Sequence, residues 1–282
     1  MIRLFSGAGL LALALSIGGA AQAESARSSD STEVYTRDDW PDELVKRPLT
    51  LAEDLTQIDL PVVFNLTKDF VGKPVTIPLR LAYGVTDGFT LAITHQTGLC
   101  LGGTSNGCAK VYNDVGLQGL FSLVPSGIFQ AALAAGAVLP SITEPFLAAA
   151  RVGFDTRFGR GPIALRIDPR VQIGLNERNP PPLGLGSSVA VANRDALEVP
   201  VTLQLQAMPN LALWVGSGVF GQLNPLVGSF SDSYAIPLSF GAAYTSGDVD
   251  VGAQFAFPYV RGPVGLSGTD IRVGEVFASF RL

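Results

Sequence analysis

The chain has 282 residues, of which 47% are hydrophobic and only 15% are charged, and its mean hydropathy is +0.34. Because soluble domains carry about 25% charged residues, this composition argues against an ordinary soluble protein. The formal net charge of −5 gives no sign of the basic surface that nucleic-acid binding needs, so no nucleic-acid partner is expected.

Residues 1–23 are predicted to be a signal peptide. Arg3 provides a positive start, residues 10–17 form a short apolar stretch, and residues 21–23 (Ala-Gln-Ala) form a small-residue cleavage site. The apolar stretch is too short to span a bilayer as a helix. An uncleaved N-terminal anchor is the alternative, but no stop-transfer charges follow the stretch. We therefore expect export across the inner membrane and a mature chain that begins at Glu24.

Residues 24–54 are polar and charged and show no periodicity. This composition predicts a periplasmic N-terminal extension that is partly disordered. Within it, Trp40 and residues 47–51 (Arg-Pro-Leu-Thr-Leu) are expected to lie against the rim of the domain that follows.

From residue 55 onwards, the chain alternates between apolar and small or polar side chains. Ile163, Leu165 and Ile167, for example, share one parity, and Arg166 and Asp168 share the other. A strand directs these two sets to opposite faces, whereas a helix would mix them. The same alternation predicts strands at 55–66, 75–85, 88–98, 111–124, 128–139, 146–158, 163–175, 197–206, 211–222, 234–245, 249–259 and 271–282.

These strands predict an all-β fold, a transmembrane up-and-down antiparallel β-barrel over residues 55–282, with about 12 strands and 10–14 possible. Each segment is long enough to cross a bilayer at a tilt, which takes ~9–11 residues. Residues 128–139 and 211–222 are the least certain strands, and the Ala-rich 128–139 could equally be a buried helix. An exported soluble β-sandwich is the rival fold. The barrel is favoured because the outward face is almost free of charge.

Short turns, such as 86–88 and 246–248, alternate along the chain with longer connections, such as 99–110 and 176–196. Outer-membrane barrels have short periplasmic turns and longer external loops. This alternation predicts a barrel in the cell outer membrane with both termini in the periplasm. The longest connection, 176–196, is expected to be an ordinary solvated loop, although it could fold inward as a constriction.

The last predicted strand carries a further signal, since Val276, Ala278, Phe280 and Leu282 share one face up to the final residue. This pattern resembles the C-terminal targeting segment of Gram-negative outer-membrane β-barrel proteins of the porin-like kind, with Leu in place of the usual terminal aromatic. The resemblance covers residues 55–282. It implies outer-membrane lipids as surroundings and recognition of the last strand by the barrel-assembly machinery. It identifies no characterised subfamily, so no functional residue is carried over.

Cys100 and Cys108 enclose a short segment in one of the longer connections. An exported protein folds in an oxidising compartment, so we predict a disulfide between them. Two free thiols are the alternative. No histidine is close in sequence to help hold a metal, so neither a metal site nor a cofactor is expected.

His95 is the single histidine of the chain, and it shares the parity of Leu91 and Ile93. It is therefore expected to face outward near the outer interface. Catalysis of the hydrolase type would need this histidine beside an ordered serine or aspartate. We identify no nucleophile segment that matches that of the outer-membrane phospholipase. We do not expect an enzyme.

Charges of both signs fall on the inward parity of the strands. The candidate lumen-facing residues are Asp59, Arg80, Asp114, Arg151, Asp155, Arg157, Arg166, Asp168, Arg170, Glu198, Asp250 and Glu275. Across the 159–161 hairpin, Arg151 is expected roughly opposite Asp168. Such charges could line a pore and tune its ion selectivity. They could equally pair with one another and fill the lumen.

A polar inner face in a closed barrel favours a passive, porin-like channel for small hydrophilic solutes. The alternative is a non-conducting structural or binding barrel that presents its loops, including the Cys100–Cys108 loop, outside the cell. The expected partners are outer-membrane lipids, the assembly machinery and, if the pore is open, small solutes.

Overall fold

The computed structural model describes residues 35–102, 108, 111–143, 146–178, 193–225, 228–263 and 268–282. The predicted signal peptide and the start of the predicted N-terminal extension lie outside these residues. The described strands are β1 (Thr56–Asn65), β2 (Val75–Ile77), β3 (Arg80–Thr86), β4 (Phe89–Thr94), β5 (Leu99–Leu101), β6 (Val115–Val124), β7 (Phe129–Ser141), β8 (Leu147–Arg160), β9 (Ile163–Ile167), β10 (Arg170–Gly174), β11 (Ala196–Met208), β12 (Leu211–Gln222), β13 (Ile236–Ser246), β14 (Val249–Arg261) and β15 (Val273–Arg281).

Two short helical turns accompany the strands, a 3-10 turn at Leu44–Lys46 and the helix α1 at Phe230–Ser233. No helix in the described ranges is long and apolar enough to cross a membrane.

The strands form one antiparallel sheet in which β15 pairs with β1 and closes a barrel. The closing register runs from Gln57 opposite Arg281 to Asn65 opposite Val273. Three pairs of short strands, β2–β3, β4–β5 and β9–β10, each continue one barrel strand, so the closed barrel has 12 strands. The predicted fold class is confirmed. Residues 128–139 lie in a strand, β7, rather than in a buried helix.

Two of the predicted strands are interrupted at proline. The break between β2 and β3 contains Pro78, and the break between β9 and β10 contains Pro169. Proline has no N–H to donate to the ladder, so a regular strand is lost there. The neighbouring Asp168 amide still donates to the Pro200 carbonyl at 3.1 Å. The barrel therefore continues across the interruption.

The two faces of the wall differ in the size of their side chains. Leu91, Leu117 and Phe154 point outward and are exposed, whereas Ala92 and Ala164 point inward and are buried. Successive side chains of a strand point to opposite faces, so the alternation in the sequence becomes an apolar outer wall and a small-residue inner wall. An apolar outer band is the surface that a lipid-facing barrel requires, and small inner residues leave space in the lumen.

The barrel has two different ends. The short connections between β3 and β4, β8 and β9, and β13 and β14 lie at the same end as the start of β1 and the end of β15. We call this the turn end and the opposite one the loop end. Residues 35–55, called here the lumen segment, run inside the wall at the turn end.

The lumen segment is hydrogen-bonded to the inner side of β3 and β4. The Leu51 amide donates to Oγ1 of Thr90 at 2.7 Å, and Gly84 exchanges backbone hydrogen bonds with Asp54 and Leu55 at 2.9 Å each. Leu51 packs in a buried cluster that also contains Ala52, Leu55, Ala82 and Ala92. The segment is therefore a packed part of the barrel interior.

The same segment also reaches the far wall of the barrel. Its Arg47 binds Asp250 of β14, and its backbone accepts hydrogen bonds from Arg157 of β8. The Val45 amide lies 3.5 Å from Oε1 of Gln206 on β11. Since β3 and β4 lie across the barrel from β8 and β11, the segment crosses the lumen. Residues 47–51 were predicted to lie at the rim, and they lie inside.

Candidate functional site

A buried group of charged residues holds the lumen segment at β14. Asp250 accepts hydrogen bonds from Arg47 at 2.6 and 2.8 Å, from Arg281 at 2.6 Å and from Thr245 at 2.7 Å. The Asp250 side chain is 4% exposed and that of Arg281 is 2% exposed. We call these four residues the Asp250 cluster. A carboxylate removed from water needs such partners to stay ionised, and one of its two arginines comes from the lumen segment.

Arg157 anchors the segment from the opposite side. Its Nη1 donates to the Val45 carbonyl at 2.5 Å and to the Arg47 carbonyl at 2.7 Å. The side chain is buried. Among the described residues, no carboxylate lies within ion-pair distance of it. Its charge is thus met by backbone carbonyl dipoles of the segment rather than by an acid.

Between the lumen segment and the loop end lies a cavity of about 590 Å³. Trp40, Leu44 and Leu49 of the segment line it on one side, and Pro78, Gln96 and Val138 of the wall and loop end line it elsewhere. The charged residues of its lining are Arg47, Asp59, Arg80, Asp114, Arg151, Asp155, Arg157, Arg166 and Arg170.

Four of these arginines, Arg151, Arg157, Arg166 and Arg170, lie on the neighbouring strands β8, β9 and β10, and we call them the arginine cluster. Arg170 binds Asp155 at 2.8 Å, and Arg166 lies 3.2 Å from Asp168 and 3.9 Å from Asp155. Arg151 forms an ion pair with Glu198 of β11. In the register of β8 and β9, Arg157 lies directly opposite Arg166.

The predicted placement of Arg151 opposite Asp168 is wrong. Arg151 lies opposite Gln172. The prediction centred the hairpin on residue 160, but β8 continues to Arg160 and the turn falls at residues 161–162. The observed register of β8 is therefore displaced from the predicted one, and Arg151 pairs with Glu198 on β11.

Asp59 and Arg80 form a separate ion pair across β1 and β3 at 2.9 Å. Both residues line the cavity, as the sequence analysis expects of lumen-facing residues. Among the predicted lumen charges, Glu275 of β15 has no hydrogen bond or ion pair with any described residue. It lies opposite Val63 and Gln254 on the neighbouring strands.

Asp114 precedes β6, outside the strands, and organises the loop end. It accepts hydrogen bonds from the Thr97 amide at 2.9 Å, the Thr97 hydroxyl at 2.6 Å, the Gly98 amide at 2.8 Å and the Gln96 amide. Burial opposes its ionisation, but these hydrogen bonds outweigh burial and lower the pKa of Asp114 below its usual range. Its carboxylate is therefore occupied by the loop, although it borders the cavity.

His95 does not occupy the outward position that its parity predicts. The strand β4 ends at Thr94, so the alternation does not extend to His95. One ring nitrogen lies 2.7 Å from the Leu79 carbonyl, the other lies 2.6 Å from the Tyr112 hydroxyl, and the residue lines the cavity. The histidine is engaged in joining the loop end to the wall.

The predicted disulfide between Cys100 and Cys108 is formed. Across the described ranges, no group of three His, Cys, Asp or Glu residues could hold a metal ion. Most of the long connection 176–196 lies outside the described residues. At its described edges Arg178 binds Asp195 at 2.5 Å.

No protein-family model matches the chain, and no curated protein matches it in sequence. The fold is similar to that of a NanC porin, with 8% sequence identity over 80% of this chain and 100% of that chain and a TM-score of 0.56. A KdgM porin gives 10% identity over 79% of this chain and 98% of that one, with a TM-score of 0.48. At such identities the likeness is one of fold, that of a porin-like outer-membrane barrel.

Proposed function

We propose that this porin-like barrel is an outer-membrane channel for small hydrophilic solutes, with its turn end towards the periplasm. The observation that supports the proposal is the cavity of about 590 Å³ inside a closed barrel, lined by charged side chains from β1, β3, β8, β9 and β10. An apolar outer wall and a polar lumen are the combination found in barrels that hold an aqueous path.

The lumen segment restricts this channel at the turn end. It contacts β3 and β4 on one side and β8 and β14 on the other. A solute that enters from the loop end would therefore meet the charged cavity first and the lumen segment second.

Reconstitution of the mature chain, from Glu24 to Leu282, in a planar bilayer tests the proposal. Folding is checked beforehand by heat-modifiable migration on a gel. Discrete current steps are expected. The same recording is made with the Arg47→Gln variant, in which the lumen segment is loosened. If both proteins fold and neither gives current steps, the channel proposal is contradicted.

The second candidate is a non-conducting barrel that presents its loops to the outside. The packing of the lumen segment across the barrel favours it, because a filled lumen suits a structural or binding role. It predicts no current from either protein while the folded barrel persists.

The proposed orientation has its own test. In intact cells and without reduction, a membrane-impermeant maleimide should label a Lys68→Cys variant, because Lys68 is exposed in the connection between β1 and β2, which would face outward. Labelling that requires disruption of the outer membrane would reverse the orientation. Recognition of β15 by the assembly machinery is part of the same proposal.

A further inference from the structure

We propose that the arginine cluster binds the oxyanion group, carboxylate or phosphate, of a small solute in the cavity. This inference deepens the proposed function, on which it rests, because it names the class of solute that the channel would take. Three observations lead to it. The cluster has an excess of hydrogen-bond donors and an excess of positive charge, and holding the lumen segment does not explain all of its arginines.

The cluster has far more hydrogen-bond donors than acceptors. Each guanidinium group carries five N–H donors and no acceptor. With described residues, each of the four arginines hydrogen-bonds or pairs through only one terminal nitrogen. The Nε atoms of all four are buried without a partner in the described structure. Buried donors are normally satisfied, so the region lacks acceptors.

A fifth donor faces the same shortage. Nε1 of Trp40, from the lumen segment, is also buried without a hydrogen-bond partner among the described residues. Trp40 lines the same cavity as the four arginines. The donors that a solute with acceptor oxygens can reach are the second terminal nitrogens of the four arginines, which are not buried and have no partner among the described residues.

The charge of the lining points to an anion. The four arginines of the cluster share three carboxylate partners among the described residues, those of Asp155, Asp168 and Glu198. Within the cluster, Arg157 has no carboxylate partner and lies opposite Arg166, so two like charges face each other. An anion between them would relieve that repulsion.

Holding the lumen segment does not account for the whole cluster. Arg157 alone donates to the segment backbone. Arg151, Arg166 and Arg170 form their contacts with acids of the wall and still border the cavity. Guanidinium groups suit carboxylate and phosphate because their planar donors match two oxygens at once.

The chain offers a matched pair of arginines for the test. Arg166 and Arg80 both line the cavity, their side chains are 34% and 33% exposed, and the nearest carboxylate lies 3.2 Å from Arg166 and 2.9 Å from Arg80. Arg166 belongs to the cluster, whereas Arg80 pairs with Asp59 elsewhere on the wall. The variants Arg166→Gln and Arg80→Gln therefore remove the same charge from similar surroundings.

Isothermal titration calorimetry on the detergent-purified mature protein, in a chloride buffer, measures binding directly. Succinate and inorganic phosphate are the two probes, and glycerol is the uncharged comparison. We expect at least one of the anions to bind and glycerol not to bind. Binding should weaken roughly tenfold to a hundredfold in Arg166→Gln and stay within about twofold in Arg80→Gln. The preferred probe identifies the oxyanion as carboxylate or phosphate.

Absence of binding by both anions overturns the site, as does an equal loss in the two variants. Because the readout is binding, it separates the two proposals. Anion binding without bilayer current leaves the site standing and removes the channel. Current steps without anion binding leave the channel standing and remove the site.

Discussion

The turn end and the cavity of this barrel are built on the same alternating wall, yet their charges are satisfied very differently. At the turn end, Asp250 has two arginines and a threonine as partners, and the second terminal nitrogen of Arg281 reaches the Gly247 carbonyl at 2.6 Å. In the cavity, the arginine cluster keeps buried Nε atoms without partners. The lumen segment contributes to the difference, because its Arg47 pairs with Asp250, whereas within the arginine cluster it contacts Arg157 alone.

One barrel can therefore be filled by its own chain at one end and keep unpartnered hydrogen-bond donors in the cavity above it. Buried charges are tolerated when partners surround them, so the filled end gains rigidity. The unfilled region retains donors for a ligand. Substitutions that disturb one region while leaving the other intact can test this division.

The largest effect is expected at Asp250. In Asp250→Asn, the buried Arg281 loses its carboxylate, and Arg47 loses its partner across the lumen. Breaking a buried pair costs about 3–5 kcal/mol, so the midpoint of heat-modifiable unfolding should fall clearly. The matched control is Asp248→Asn in the adjacent turn, where the side chain is exposed. Equal midpoints for the two variants would contradict a structural role for the Asp250 cluster.

Arg47→Gln should act on the segment rather than on the whole barrel. Asp250 keeps Arg281, while the segment loses its charged hydrogen bonds. A loss of about 2 kcal/mol would raise the ratio of released to docked segment roughly 30-fold. Bilayer recordings should then show larger or more frequent steps than the wild type. Lys46→Gln is the control, because that side chain is 53% exposed and, among the described residues, pairs with Glu43 alone. If both variants conduct alike, the segment is not the restriction.

Gly84→Ala disturbs the segment by steric means. A Cβ atom at Gly84 would lie 1.8 Å from the Ala52 carbonyl oxygen, whereas a Cβ atom at Gly88 would meet no atom within 4 Å. Overpacking of this kind costs about 1–3 kcal/mol. We expect faster hydrogen exchange at the Asp54 and Leu55 amides in Gly84→Ala, but not in Gly88→Ala. Unchanged exchange would mean that the contact yields without moving the segment.

The sequence predicts the wall well and the lumen poorly, for a physical reason. Alternation is a local property, so strands such as 211–222 are located to the residue. Register across the β8–β9 turn depends on where the turn closes, and parity does not report that. This is why Arg151 is placed beside the wrong acid.

The lumen segment is missed for a related reason. Its polar composition suggests an extended, solvated chain, but its contacts are with distant residues such as Asp250 and Arg157. The apolar residues Leu49 and Leu51 beside Arg47 are the only local sign. A short apolar stretch next to a charge fits a buried segment as well as a rim contact, so the pattern alone does not distinguish the two.

The smallest effect on the whole barrel is expected at the loop end, where Asp114 holds residues 96–98. Because the folded pKa of Asp114 is lowered by these hydrogen bonds, its stabilising contribution is complete above the unfolded aspartate value of about 3.9. The contribution is lost as the pH falls through the lower folded pKa.

Hydrogen exchange at the Gly98 amide, corrected for the intrinsic pH dependence of exchange, should therefore be constant between pH 5 and pH 8 and accelerate only in acid, below the unfolded aspartate value of about 3.9. The Asp114→Asn variant cannot ionise, so it should exchange faster at neutral pH and lack the acid transition. An acid transition that persists in Asp114→Asn would show that a group other than Asp114 controls the opening of residues 96–98.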